Sequence, residues 1–207
     1  MTGATRADAG AFEWGDRLPT LAGATHELRW MEDRHAQDVF ALFAHSEVVR
    51  YWSSPAMTDP VQGADHVRSV HELFAQRHLF EWGVFESGSD VLVGTATVFK
   101  LDGSHRRAEV GYALRRDLWG RGIGTEVVGI ELRFCFETLG LHRVEADVDP
   151  ENAGSLRVLE RHGFRREGLL RERWIQGGVW CDSIVLGLLR DEWTRPSERA
   201  RSDLRSS

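Results

Sequence analysis

At 207 residues, 42% apolar and 28% charged, the chain reads as one soluble globular domain with short extensions, able to bury about two-thirds of its unfolded surface. No apolar run nears the roughly 18 residues of a membrane span, and the first residues lack the basic-then-apolar layout of a signal peptide, so a cytoplasmic protein with no membrane partner is expected. The formal charge of −6 speaks against nucleic acid and suits cationic partners; Cys135, in an apolar helix, and Cys181, in a late loop, make neither a disulfide framework nor a metal box, and no metal is expected.

In chain order, residues 1–24 read as an N-terminal extension with isolated Phe12, Trp14 and Leu18. His26 to Met31 predicts a first strand. Asp33 then caps a helix whose apolar face is Val39, Phe40, Leu42 and Phe43. A short helix follows around Ser46 to Trp52, ended by Ser53-Ser54-Pro55. Asp59-Pro60 opens another, burying Val67, Val70, Leu73 and Phe74. Three strands come next, Leu79 to Glu86, Val91 to Leu101 and Arg106 to Leu114, with hairpin turns at Ser87-Gly88-Ser89-Asp90 and Asp102-Gly103-Ser104.

A glycine-rich turn then leads into a helix with apolar residues at Ile123, Val127, Ile130 and Phe134, stopped by Gly140. Arg143 to Asp149 alternates as a half-buried strand. Asn152 caps a helix that ends at Gly163, where Phe164 packs back on Leu159. Strands Phe164 to Trp174 and Ser183 to Leu189, turning at Gln176-Gly177-Gly178, close the domain at about Trp193. Residues 194–207 read as a polar tail.

Gly120, Gly122 and Gly124 sit where strand becomes helix. Glycines let backbone N–H groups approach a ligand without a Cβ in the way, and the helix start adds unpaired donors and partial positive charge. Together these favour phosphate or pyrophosphate. The Walker pattern fails, because no Gly-Lys-Ser/Thr follows and Lys100 is the sole lysine. The dinucleotide fingerprint needs another glycine register.

The stretch Trp119-Gly120-Arg121-Gly122-Ile123-Gly124-Thr125-Glu126 resembles the acyl-CoA pyrophosphate loop of the GNAT acetyltransferases. Arg107-Ala108-Glu109-Val110-Gly111-Tyr112, Leu141-His142-Arg143-Val144-Glu145-Ala146, and Asn152-Ala153-Gly154-Ser155 through Gly163-Phe164 match in the same order. The likeness covers residues 27–193 and is nearest to the subgroup resembling ribosomal-protein N-terminal acetyltransferases. It implies an α+β GNAT fold over residues 25–193, with a mixed central sheet, splayed parallel strands and flanking helices. It also implies acetyl-CoA as co-substrate and direct acetyl transfer to an amine.

By resemblance, Ala113, Leu114 and Arg115 offer backbone to the pantetheine arm, while Gly120, Arg121, Gly122, Ile123, Gly124 and Thr125 hold the pyrophosphate. Asn152 is an N-cap accepting from the Ser155 amide, a place that also lets it bond the cofactor arm, and Ser155 would donate to the departing thiolate. Glu109, on the strand entering the cleft, is either the base for the acceptor amine or a strand carboxylate paired to Arg107 or Arg143. Leu159 stands where many members carry a tyrosine acid, and Trp119 where the motif usually has Gln or Arg. Tyr51, Trp52, Arg173 and Trp174 mark the acceptor side, with Trp82 and Trp180 as further candidates. The acceptor is expected to be a protein N-terminus or a small-molecule amine, including an antibiotic or toxin, handled by a monomer or homodimer. The competing reading is a catalytically silent CoA-binding sensor or interaction module.

Overall fold

A computed structural model describes residues 15–193 apart from residue 53. The first fourteen residues of the extension, the tail 194–207, and Ser53 of the predicted break lie outside the described residues. The elements are β1 Leu21–Ala22, β2 His26–Arg29, α1 Ala36–Phe43, α2 Val61–Ala75, β3 Leu79–Glu86, β4 Leu92–Asp102, β5 Arg107–Leu114, α3 Ile123–Arg133, β6 Arg143–Val148, α4 Ala153–Arg161, β7 Arg165–Gln176 and β8 Val179–Leu189. The strands form one sheet in the order β1-β2-β3-β4-β5-β6-β8-β7. Only β5 and β6 run parallel, the crossover between them being α3.

The alternation of β3 to β5 feeds two cores. Phe80, Trp82, Val84, Ala96, Val98, Ala108 and Val110 pack with α3 and α4 on one face. Leu79, Phe85, Leu92 and Ala113 lie with α1 and α2 on the other. Trp82 is wholly buried, its indole N–H donating to the Pro19 carbonyl at 2.9 Å, so it belongs to the core and not to an acceptor wall.

Local signals place most helix ends. Asn152 accepts from the Ser155 amide at 3.1 Å. At the other end of α4, Gly163 has φ 94°, and the amides of Phe164 and Gly163 donate to the Leu159 and Glu160 carbonyls. That is the expected left-handed ending. The start of the first helix differs. Glu32, not Asp33, caps a 3-10 turn, its side chain accepting from the His35 amide while His35 Nδ1 accepts from the Glu32 N–H at 3.0 Å.

The helix expected at Ser46 to Trp52 is a run of turns. Val48 and Val49 are both buried, and their amides reach back only to the His45 carbonyl. The carbonyls of Val49 and Trp52 instead accept from the Gln176 amide group of the closing hairpin, at 3.1 and 2.8 Å. The Val49 carbonyl also accepts from the Trp52 amide at 2.9 Å, so local turn bonds and the tertiary partner Gln176 together stand in place of a continuous helical ladder. The hairpin itself is longer than its composition suggests. Gly177 and Gly178, with φ 54° and 84°, make a two-residue turn of the kind that needs positive φ twice. Strand pairing therefore runs right up to Gln176 and Val179, and Cys181 lies on β8, not in a loop.

One carboxylate fastens α3 to the sheet. Glu126, in the first helical turn, accepts from the Thr25 amide (2.7 Å), the Thr25 hydroxyl (2.6 Å) and the His26 amide (3.1 Å), and meets His26 Nδ1 at 2.9 Å. Burial would raise this carboxyl, but the bonds from Thr25 and His26 outweigh it and hold it down to about 2. A depressed carboxylate stabilises the fold above its unfolded pKa and loses that contribution as pH falls toward its folded one. Glu126→Gln should therefore be less stable than wild type above about pH 5, the gap closing as pH drops toward about 2. Urea melts of both proteins across that range check this; a gap that does not change with pH would remove Glu126 from the role.

Candidate active site

β5 and β6 are joined at only three pairs, Arg107↔Arg143, Ala108↔Val144 and Glu109↔Glu145. Beyond Glu109 the strands part, while β5 stays paired to β4 as far as Leu114. Ala113 and Leu114 thus belong to the β4 ladder, where the next residue, Arg115, donates its N–H to the Val93 carbonyl at 2.9 Å, and the β5 edge turned from β4 faces an opening. A cleft of about 390 Å³ passes through this gap.

Successive residues of β5 serve opposite sides of the opening, because side chains alternate across a strand. Toward α1 and α2, two cross-strand rows line the cleft, Glu81–Thr97–Gly111 and Leu79–Phe99–Glu109. Toward α3 and α4 lie Tyr112, Ser155 and Leu159. The Tyr112 hydroxyl is 3.3 Å from Ser155 Oγ. Burial raises the phenol above its ordinary value, partly opposed by the Ser155 hydrogen bond, so Tyr112 keeps its proton at neutral pH. Its pairing with Ser155, 43 residues on, has no local signature in the sequence. Leu159 is buried in the cleft wall, and the phenol beside Ser155 is that of Tyr112, on β5.

Glu109 pairs with neither Arg107 nor Arg143. Arg107 turns to Asp102 and Glu145, and Arg143 to Glu145 and Glu167. The partner of Glu109 is Lys100, whose Nζ donates to both carboxylate oxygens at 2.8 and 2.9 Å. A second acid, Glu81, accepts from His66 at 2.7 Å. Burial works against the imidazolium, but the Glu81 hydrogen bond and charge outweigh it and raise the His66 pKa.

One side of the cleft is walled by the turn run and the hairpin. Tyr51, Trp52 and Trp174 all line the cleft. Tyr51 donates to the Glu151 carbonyl at 3.3 Å. Trp174 lies under Lys100 (5.9 Å) and Arg173 (5.1 Å), and Arg173 pairs with Asp147 at 3.7 Å. Trp180 is exposed and outside the lining.

At the mouth, Gly120 and Gly122 have φ 78° and 83°, and a Cβ on either would point into open space. The amides of Ile123, Gly124 and Thr125 precede the first α3 bond, Glu126 N–H to the Gly122 carbonyl at 3.2 Å, so they are free donors. This cradle fits a pyrophosphate. Arg115 is held by Asp117 at 3.0 and 3.2 Å, and Arg121 donates to the Asp117 carbonyl. Trp119, in the motif's first place, donates its indole N–H to the Leu114 carbonyl at 2.8 Å, a bond that suits a donor side chain there. Gly124 differs from its neighbours: a Cβ on it would lie 3.0 Å from the Tyr112 ring.

A profile described as "Acetyltransferase (GNAT) domain" matches residues 26–165. The chain belongs to the GNAT acetyltransferase family. Among curated proteins this GNAT chain is 32% identical over 163 residues to the uncharacterized N-acetyltransferase YoaA of Bacillus subtilis, covering 79% of this chain and 92% of the other. It is 25% identical to the ribosomal protein uS5 alanine N-acetyltransferase of Escherichia coli, covering 88% and 98%. Among solved structures, Mycobacterium smegmatis RimJ in complex with CoA-disulfide superposes with a TM-score of 0.76 at 25% identity, covering 84% and 88%. The GNAT fold and the N-acetyltransferase class are thereby established. Among the described residues no helix is long and apolar enough to cross a membrane, and no group of three or more His, Cys, Asp or Glu could hold a metal.

The Gly124–Tyr112 contact has a measurable sign. Alanine for glycine inside a helix ordinarily stabilises by about 0.5–1 kcal/mol, whereas overpacking costs about 1–3 kcal/mol. Gly124→Ala should therefore destabilise in urea melts, and should become stabilising in a Tyr112→Ala background. Stabilisation by Gly124→Ala alone would show that the ring yields freely.

Proposed function

We propose that this enzyme transfers an acetyl group from acetyl-CoA directly to a primary amine, without an acyl-enzyme. The observation that carries this is the parting of β5 from β6 with Glu109 on one side and the Tyr112–Ser155 hydroxyl pair on the other. Of the three residues expected to meet the arm, Leu114 lies on the β5 edge turned from β4 and suits an arm that pairs like an added strand, its N–H available to the thioester oxygen, whereas the Arg115 N–H is taken by the Val93 carbonyl at 2.9 Å. Gly120 to Thr125 suit the pyrophosphate and Asn152 the far side of the arm.

Acyl transfer needs a proton taken from the amine and another given to the leaving thiolate, and the two sides of the opening divide these tasks. Glu109 faces the acceptor chamber and takes the first. Tyr112, kept protonated by burial, donates the second directly or through Ser155. The acceptor is a cationic amine, since the chamber presents Glu81, Glu109 and Asp147 between aromatic walls. A protein N-terminus and a small amine both fit that description. The intact Glu109, Tyr112 and Ser155 set favours catalysis over a silent CoA-binding module.

Acetyl-CoA should raise the melting point, by an amount equivalent to about 2.7 kcal/mol at a hundredfold excess over Kd; unchanged melting at millimolar ligand would sink the reading. With a verified acceptor, Glu109→Gln should lower kcat roughly 10²–10⁴-fold, with partial rescue at high pH as solution supplies free amine. Tyr112→Phe should lower it without that rescue. Wild-type turnover in Glu109→Gln across the pH range would assign the base elsewhere.

A further inference from the structure

Lys100 is the chain's only lysine; every other basic residue among the 26 Lys and Arg is arginine. It sits in a bulge. Phe99 pairs with Glu109 and Asp102 with Arg107, so Lys100 and Leu101 together oppose Ala108 alone. Lys100 takes φ 50°, the left-handed region that side chains other than Gly, Asn and Asp rarely enter. Without the bulge, alternation would point Lys100 to the face opposite Phe99 and Glu109. Bulges re-aim side chains next to active sites, and this one swings the ammonium into the cleft. There Nζ donates to both oxygens of Glu109 and lies 5.6 and 5.9 Å from the ring centres of Phe99 and Trp174. The Lys100 side chain remains 46% exposed, open to the chamber.

We infer that Lys100 is an internal acetyl acceptor, modified by the enzyme's own active site. The inference rests on the reading of Glu109 as base for the acceptor amine. Such a base lies within hydrogen-bond reach of the amine it serves, and the amine found there is that of Lys100. In the reaction, Glu109 takes a proton from the ammonium and the neutral Nζ attacks the thioester carbonyl carbon. The C–N bond forms, the C–S bond breaks, and its electron pair leaves on sulfur. Sulfur is protonated from the Tyr112–Ser155 pair. Two protons leave nitrogen, one ending on the thiol and one in solvent. Acetyl-CoA and the ammonium give Nε-acetyl-Lys100, CoA and one proton. The product side chain is neutral, so the ion pair is gone and Glu109 is released to external amines.

The test is to incubate the full chain with acetyl-CoA and no added amine, then read intact mass and map peptides. One acetyl group on Lys100 is expected, at a rate independent of protein concentration and suppressed by excess free CoA. The rate should fall about 10²-fold in Glu109→Gln, and the urea-unfolded chain should react far more slowly than the folded one. Acetylation as fast in the unfolded chain, indifferent to CoA, or second order in protein would overturn the inference, as would an unmodified Lys100. A parallel assay of thiol release with a panel of amines separates the two failures. Release with amines but an unmodified Lys100 rejects the internal acceptor alone; release in neither assay rejects the transferase reading with it.

Discussion

Three residue pairs hold β5 to β6, and everything else about the site depends on their stopping at Glu109 and Glu145. A parallel pair that continued would satisfy its own backbone groups and leave no edge for a ligand. Once the strands part, the outer edge of β5 carries N–H and C=O groups that need partners. A strand-like guest answers that need with backbone hydrogen bonds. The opening also exposes both faces of one strand to one space, so that Glu109 and Tyr112, three residues apart, line it from opposite sides.

Such an opening must be braced from outside. Glu126 ties the start of α3 to Thr25 and His26 beside the far strands, which fixes the direction of the free amides at the glycine turn. Gly124 lets the Tyr112 ring lie against the same helix. His162 Nε2 meets the Thr125 carbonyl at 2.8 Å, fastening α4, and with it Asn152 and Ser155, to that turn. On the other side, Gln176 of the hairpin grips the turns at Val49 and Trp52. The cleft is thus held open by contacts between its own walls.

Charge along the cleft includes three pairs: Glu109 with Lys100, Glu81 with His66, Asp147 with Arg173. Two further carboxylates of the lining, Asp149 and Asp182, instead accept from the backbone amides of Glu151 and Glu172. In each ion pair the carboxylate is mostly buried while its cation is more open, so removing the cation alone leaves a buried charge short of a partner. Lys100 costs more to keep, because its backbone occupies a conformation disfavoured by about 1–2 kcal/mol for a side chain with a Cβ. Strain of that order persists where surrounding structure enforces it, commonly at functional sites.

Much of this molecule was legible in its residues. The period of β3 to β5, the glycine turn, the Asn152 cap and the Gly163 ending are local, set by alternation, by φ and by side chains reaching their own backbone. The order of those elements carried the resemblance to the family, and hence the place of the cleft. The turns at residues 46–52 were not legible, because Val48 and Val49 are fixed by burial and by Gln176, far along the chain. Nor was the hydroxyl pair of Tyr112 and Ser155, or the partner of Glu109. Arg107 and Arg143 are its neighbours by strand register, yet each is taken by other acids, and a one-residue bulge turns Lys100 onto it instead. Sequence determined most of the elements and where a glycine turn with free amides lies, since those follow from short-range geometry. Only the tertiary structure decided which charges and hydroxyls meet, because a shift of one residue in strand pairing sends a side chain to the opposite face of the sheet.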